Sequence, residues 1–180
     1  MVDLAEIQAA YYMVAATGVL VAAAYYVLNM RETSRNRRSN MANTYMQYFN
    51  TDEFQLKWME VLNMQFSDFE DFKRKYDSSV NPQSYAKRMA IWNIWDSIGR
   101  QVREGFIDLD DLGSSSEASA VMAWRKFKPI IEGYRGWQMP KDAWSNFEYI
   151  ANICQKRLRD RDPEFMKKMD TFFTTPGVAQ

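Results

Sequence analysis

The sequence predicts an all-α protein, an N-terminal transmembrane helix that continues into a cytoplasmic helical bundle. Three observations predict it. Residues Ile7–Met30 carry no charge at all. Beyond them apolar residues recur at three- and four-residue spacing, with no strand-like alternation. Short polar residues and prolines stand where such helices would begin.

Composition narrows the chemistry. The 180 residues suffice for one domain with a core and one further element. Basic and acidic residues balance at 23 each, so overall charge does not point to nucleic acid. The chain has no histidine and one cysteine, Cys154. That excludes Ser-His-Asp and Cys-His catalysis, histidine-ligated zinc or haem, and an internal disulfide. No catalytic, cofactor-binding or metal-ligating residue is assigned.

Residues 7–30 span 24 positions, about 36 Å of helix at ~1.5 Å per residue, enough to cross a ~30 Å hydrocarbon layer. Tyr11/Tyr12 and Tyr25/Tyr26 sit about 21 Å apart along that helix, near the two interfaces that amphipathic rings favour. A soluble core helix would carry a polar stripe, and this run has none. A signal peptide would begin with basic residues, whereas here Asp3 and Glu6 precede the run and Arg31, Arg35, Arg37 and Arg38 follow it. The arginines orient the span with residues 1–6 outside and the remainder cytoplasmic. They also suit anionic lipid headgroups. The lipid bilayer is therefore the first expected partner. Ala15, Gly18 and Ala22 lie on one face; the simpler reading is an alanine-rich span that faces lipid, and the sharper one is a candidate helix–helix interface, with a protein partner or a second copy of the chain as the other expected partner.

The cytoplasmic part follows in order. Residues 31–49 read as a basic juxtamembrane helix with Met41, Tyr45, Tyr48 and Phe49 on its apolar face. Asn50 with Glu53, and Ser67 with Glu70, read as capping boxes that start helices over 51–64 and 68–76. Pro82 opens a helix to Glu104 with Tyr85, Met89, Trp92, Gly99 and Val102 inward, and Gly105 stops it. Asp108 caps a short turn, and Ser114 with Glu117 caps a helix over 115–134 that Pro129 should kink. Pro140 opens the last helix, with Trp144, Phe147, Ile150, Ala151, Cys154 and Leu158 inward. The helical domain thus occupies 50–162, and 163–180 reads as a C-terminal tail.

Several residues invite a functional reading and have a simpler one. Asp108, Asp110 and Asp111 lack the glycine and twelfth-position glutamate of a calcium loop and fit a capped, solvated turn. Asp96 and Arg100 are spaced as a helical ion pair. Cys154, on an apolar face, fits a small buried hydrophobe. Trp92, Trp95, Trp124, Trp137 and Trp144 fit a core better than a stacking platform.

The order of parts, with "WNIWDSIGRQVREGFIDLDDL", "AWRKFKPIIEGYR" and "AWSNFEYIANICQKRL", resembles a family of uncharacterised prokaryotic single-pass membrane proteins, catalogued as a domain of unknown function. The likeness runs from about Ala9 to Leu158 and is strongest over Gly99–Leu112. It implies the topology and carries no site residues. The functional expectation is a membrane-anchored, non-enzymatic domain for protein interaction or assembly. The alternative is a ligand-binding or enzymatic domain with a pocket among the aromatic helices.

The seven Ile, Val and Leu residues of the span contribute roughly −2 to −4 kcal/mol to insertion, and one central arginine costs about 2.5–3.5 kcal/mol. Val19→Arg should therefore shift the full-length chain from the carbonate-resistant membrane fraction to the soluble or aggregated fraction. Unchanged fractionation would refute a transmembrane assignment.

Overall fold

The computed structural model describes residues 3–174. Those residues form seven α-helices and one 3₁₀ turn, with no strand among them. Helix α1 runs unbroken from Leu4 to Phe49. The chain divides between Asn40 and Met41 into two units. In the first, every described residue is exposed.

The second unit packs the end of α1 with α2 (Asp52–Leu62), α3 (Phe69–Tyr76), α4 (Pro82–Arg103), α5 (Gly113–Trp137), α6 (Ser145–Arg161) and α7 (Pro163–Thr174). The main contacts are α4 with α6 and α5 with α6. The other helices pack around this trio. At its centre lie Trp92, Trp95, Ile98, Phe127, Ile130, Phe147 and Ile150, each at most 1% exposed. Edge-to-face and tilted ring pairs run through this core, such as Trp92–Trp144 and Trp124–Phe147, both at 5.2 Å.

Residues at three-residue spacing on α4 hold α6 in place. Helix α6 starts behind Trp144, which takes left-handed backbone angles (φ 55°, ψ 30°) and supplies no side-chain cap. Its opening amides turn instead to Asp96 on α4. The carboxylate Oδ1 accepts from Asn146 N at 3.0 Å and Phe147 N at 3.1 Å. One turn earlier, Asn93 Oδ1 accepts from the Trp144 indole at 3.0 Å. One turn later, Gly99 lets the backbones close up, since a Cβ there would lie 2.0 Å from the Asn146 carbonyl oxygen. Asp96 is thus an intermolecular-style cap within one chain rather than the partner of Arg100 that its spacing suggests.

Local signals held in type and slipped in detail. Asn81 caps α4 through Ser84 N at 3.0 Å, with Pro82 at its first position. Gly105 (φ 76°) ends α4 as expected, in a Schellman closure with Phe106 N donating to Gln101 O at 2.8 Å and Gly105 N to Val102 O at 3.1 Å. Asp108 caps the 3₁₀ turn Leu109–Asp111 through Asp110 N. The caps of α2 and α3, however, are Thr51 and Asp68, each one residue beyond the expected Asn50 and Ser67. In both pairs two adjacent side chains could cap, and local spacing alone does not choose between them. Helix α5 starts at Gly113 with no side-chain cap, and Glu117 is buried instead of capping.

Three boundaries moved further. Helix α5 continues through Gly133 to Trp137, and Gly133 is there to make room for the Phe69 ring, which lies 2.5 Å from where a Cβ would sit. Pro140 opens a turn, Ala143 N to Pro140 O at 3.0 Å, and not the last helix. Pro163 begins α7 rather than the expected tail. Asp162 Oδ1 accepts from Phe165 N at 2.9 Å, and Met166 and Met169 are buried. Residues 175–180 of the expected tail lie outside the described residues. On the end of α1, Tyr45, Tyr48 and Phe49 face the core as expected, but Met41 is exposed and Ala42 is buried in its place.

Asp96→Ala removes the acceptor from two α6 amides and should lower stability by about 2–3 kcal/mol, whereas Asp96→Asn keeps an acceptor and should cost about 1 kcal/mol or less. Denaturant unfolding followed by tryptophan fluorescence measures both. Equal, negligible losses would remove Asp96 from this role.

Candidate functional site

The residues singled out on α1 stay apart from the core. Ala15, Gly18 and Ala22 are exposed, and a Cβ on Gly18 would meet nothing within 4 Å. Within the apolar run Thr17 Oγ1 donates to Met13 O at 2.8 Å, so its hydroxyl needs no water. Arg31, Arg35, Arg37 and Arg38 are exposed, and none forms an ion pair among the described residues. Spacing puts Arg31, Arg35 and Arg38 on one face of α1, with Arg37 off it.

The acidic turn is occupied by structural work. Asp108 caps, and Asp110 pairs with Arg157. No group of three or more His, Cys, Asp or Glu suited to a metal occurs among the described residues. Arg157 also reaches Glu117 Oε1 at 3.0 Å, and Arg161 reaches Glu117 Oε2 at 2.6 Å. Glu117 is 2% exposed, so two arginines on α6 neutralise one buried carboxylate on α5 and leave it no free oxygen. Cys154, one turn away on α6, is fully buried, and burial pushes its thiol up to about 12. It is a packed hydrophobe and not a nucleophile at neutral pH.

Sequence reasoning missed the most unusual group in the domain, Arg88. It is 0% exposed and has no carboxylate within ion-pairing distance among the described residues. Four rings surround its guanidinium. The centroids of Tyr85, Phe72, Trp92 and Tyr134 lie 4.5, 5.0, 5.0 and 5.1 Å from it. Arg88 Nη2 donates to Tyr134 Oη at 2.8 Å, and that hydroxyl donates to Asp77 Oδ1 at 3.1 Å. The counter-charge therefore arrives through a phenol. Arg88 Nε has no partner. Burial lowers the Arg88 pKa, and burial first among several causes pushes Tyr134 up to about 12. An aromatic box of this kind resembles a receptor for cations, but here the chain's own arginine fills it. Its only sequence signal was a basic residue on the inward arc of α4.

Four of the five tryptophans expected in the core are buried: Trp92, Trp95, Trp124 and Trp144. Trp137 is not. It stands 51% exposed at the end of α5, with Lys73 Nζ 4.4 Å from its ring centroid.

One pocket opens between α2 and the beginning of α5. It holds about 220 Å³ and is lined by Phe49, Phe54, Trp58 and Trp95 together with polar groups that include Ser115 and Ser119. The gap exists because α2 packs mainly on α4 and the first turn of α5 carries only small serine side chains there.

Fold and sites together define an all-α domain preceded by a helix long and apolar enough to cross a membrane. The chain matches the family described as a domain of unknown function, DUF4760, over residues 12–154, and it belongs to that family. No curated protein and no solved structure matches it.

The Arg88 box predicts strong non-additivity. Tyr134→Phe should cost about 1–3 kcal/mol, because Arg88 stays buried without its acceptor. In the Arg88→Met background, the same change should cost less than about 1 kcal/mol. Denaturant unfolding of the four proteins checks this, and equal costs in both backgrounds would refute the coupling.

Proposed function

We propose that this chain is a single-pass membrane protein whose helical domain is held at the inner face of the membrane. There it acts by assembly with a protein partner, a second copy of the chain included. The observation that carries this reading is the exposure of the whole uncharged run. A soluble helix so rich in apolar residues would bury a face against its own domain, and no described residue before Ala42 is buried. Lipid is the medium that covers such a helix on all sides.

Arg31, Arg35, Arg37 and Arg38 supply the orientation, since basic residues stay on the cytoplasmic side. Each would also gain about 1 kcal/mol near an anionic leaflet. Ala15, Gly18 and Ala22 give the span a face that a second helix can approach closely. A non-enzymatic role agrees with the state of the reactive groups: Cys154 is sealed in the core, Asp96 caps α6, and Glu117 is held by two arginines. A second reading, a domain that takes a small ligand, is favoured by the pocket between α2 and α5.

Protease treatment of sealed vesicles of known orientation tests the topology. The domain should be digested in inside-out vesicles and protected in right-side-out ones. Digestion in right-side-out vesicles, or release of the chain by carbonate, would overturn the reading.

A further inference from the structure

Before Ala42, its first buried residue, α1 passes through RETSRNRRSN, residues 31–40, which are exposed on every side. The cations of this stretch are all arginines, although the helical domain that follows uses lysine and arginine side by side. Arg31, Arg35 and Arg38, at i, i+4 and i+7, form one stripe about 10 Å long, with Arg37 and the single acid Glu32 off it. None of these arginines makes an ion pair or a side-chain hydrogen bond among the described residues. In the helical domain, by contrast, several arginines are paired with the chain's own acids: Arg157 and Arg161 with Glu117, Arg135 with Glu148, and Arg125 with Asp170. The stripe therefore presents a row of guanidinium forks whose N–H groups have no partner in the chain.

We propose that this stripe binds one phospholipid that carries two phosphates, of the diphosphatidylglycerol type. The proposal rests on the membrane-anchored reading and gives the juxtamembrane stretch a specific ligand in place of a general attraction to negative charge. Three features carry it. The stripe begins at the residue after the uncharged run, which in a membrane-spanning helix is the depth of the lipid headgroups. Orientation and attraction to an anionic leaflet need only positive charge, which lysine supplies as well. Arginine adds a planar fork that grips phosphate oxygens in pairs. Three forks in line outnumber a single phosphate, and two phosphates joined by a short glycerol bridge give each end of the stripe an acceptor. An acidic peptide fits less well, because lipid headgroups already crowd this depth.

Native mass spectrometry of the full-length protein in detergent micelles tests the site, with tetraoleoyl diphosphatidylglycerol, dioleoyl phosphatidylglycerol, pyrophosphate and a polyglutamate peptide as probes. One diphosphatidylglycerol should bind per chain, about tenfold or more tighter than phosphatidylglycerol. Arg31→Lys, Arg35→Lys and Arg38→Lys together keep every charge and should weaken that lipid about tenfold, whereas Arg37→Lys should leave it within about twofold. Proteolysis of sealed vesicles should find both variants in the parent's orientation. Equal affinity for the two lipids, undiminished binding in the triple variant, or an equal loss in Arg37→Lys overturns the proposal while the membrane anchor stands. Pyrophosphate or the peptide bound as tightly as the lipid, and lost in the triple variant, overturns the lipid as the ligand. If carbonate releases the parent chain from vesicles, anchor and lipid site fall together.

Discussion

A helix that is apolar on every side cannot bury itself against one neighbour, and this constraint shapes the whole chain. From Leu4 to Asn40 no described residue contributes to a protein core. The helical domain must therefore close its own core from Met41 onward. It does so with a high density of aromatic side chains, because the end of α1 and the six helices that follow it leave much volume to fill with few residues.

The seam between α4 and α6 gives that core its geometry. Asn93, Asp96 and Gly99 recur every third residue and perform three different tasks on one neighbour: an acceptor for an indole, a cap for two amides, and a gap for a backbone. The arrangement lets α6 start abruptly from a left-handed Trp144, and that residue then seals the side of Trp92. Two charged groups are buried beside the same trio. Glu117 is a buried acid given two arginines, and Arg88 is a buried base given four rings and a phenol. Both are costly to bury, and each would be costlier still if its partners were removed.

Much of this was legible in the sequence. The uncharged run, the continuation of α1 to Phe49, the inward stripe of α4 around Trp92, the Gly105 stop and the buried face of α6 all follow from periodicity and capping chemistry. What escaped is what depends on a distant partner. Asp96 and Glu117 carry local spacings that point to Arg100 and Ser114, yet their real partners lie some 40 to 50 residues away. Arg88 has no sequence signal beyond its place on the inward arc of α4, and only the fold shows the rings around it. Gly133 and Pro140 look like loop residues until Phe69 is seen lying on the first and a turn closing at the second. The pocket had no signature, since serines at a helix start usually mean a cap.

Lipid coverage of residues 7–30 is what places the helical domain at a membrane. Spin labels on single cysteines at Val19→Cys and Arg35→Cys, in vesicles, test it directly, with Cys154 buried and silent. Oxygen should reach the label at position 19 far better than a water-soluble nickel complex does, and the preference should reverse at position 35. A label at position 19 that the nickel complex relaxes as readily as the one at position 35 would contradict the account.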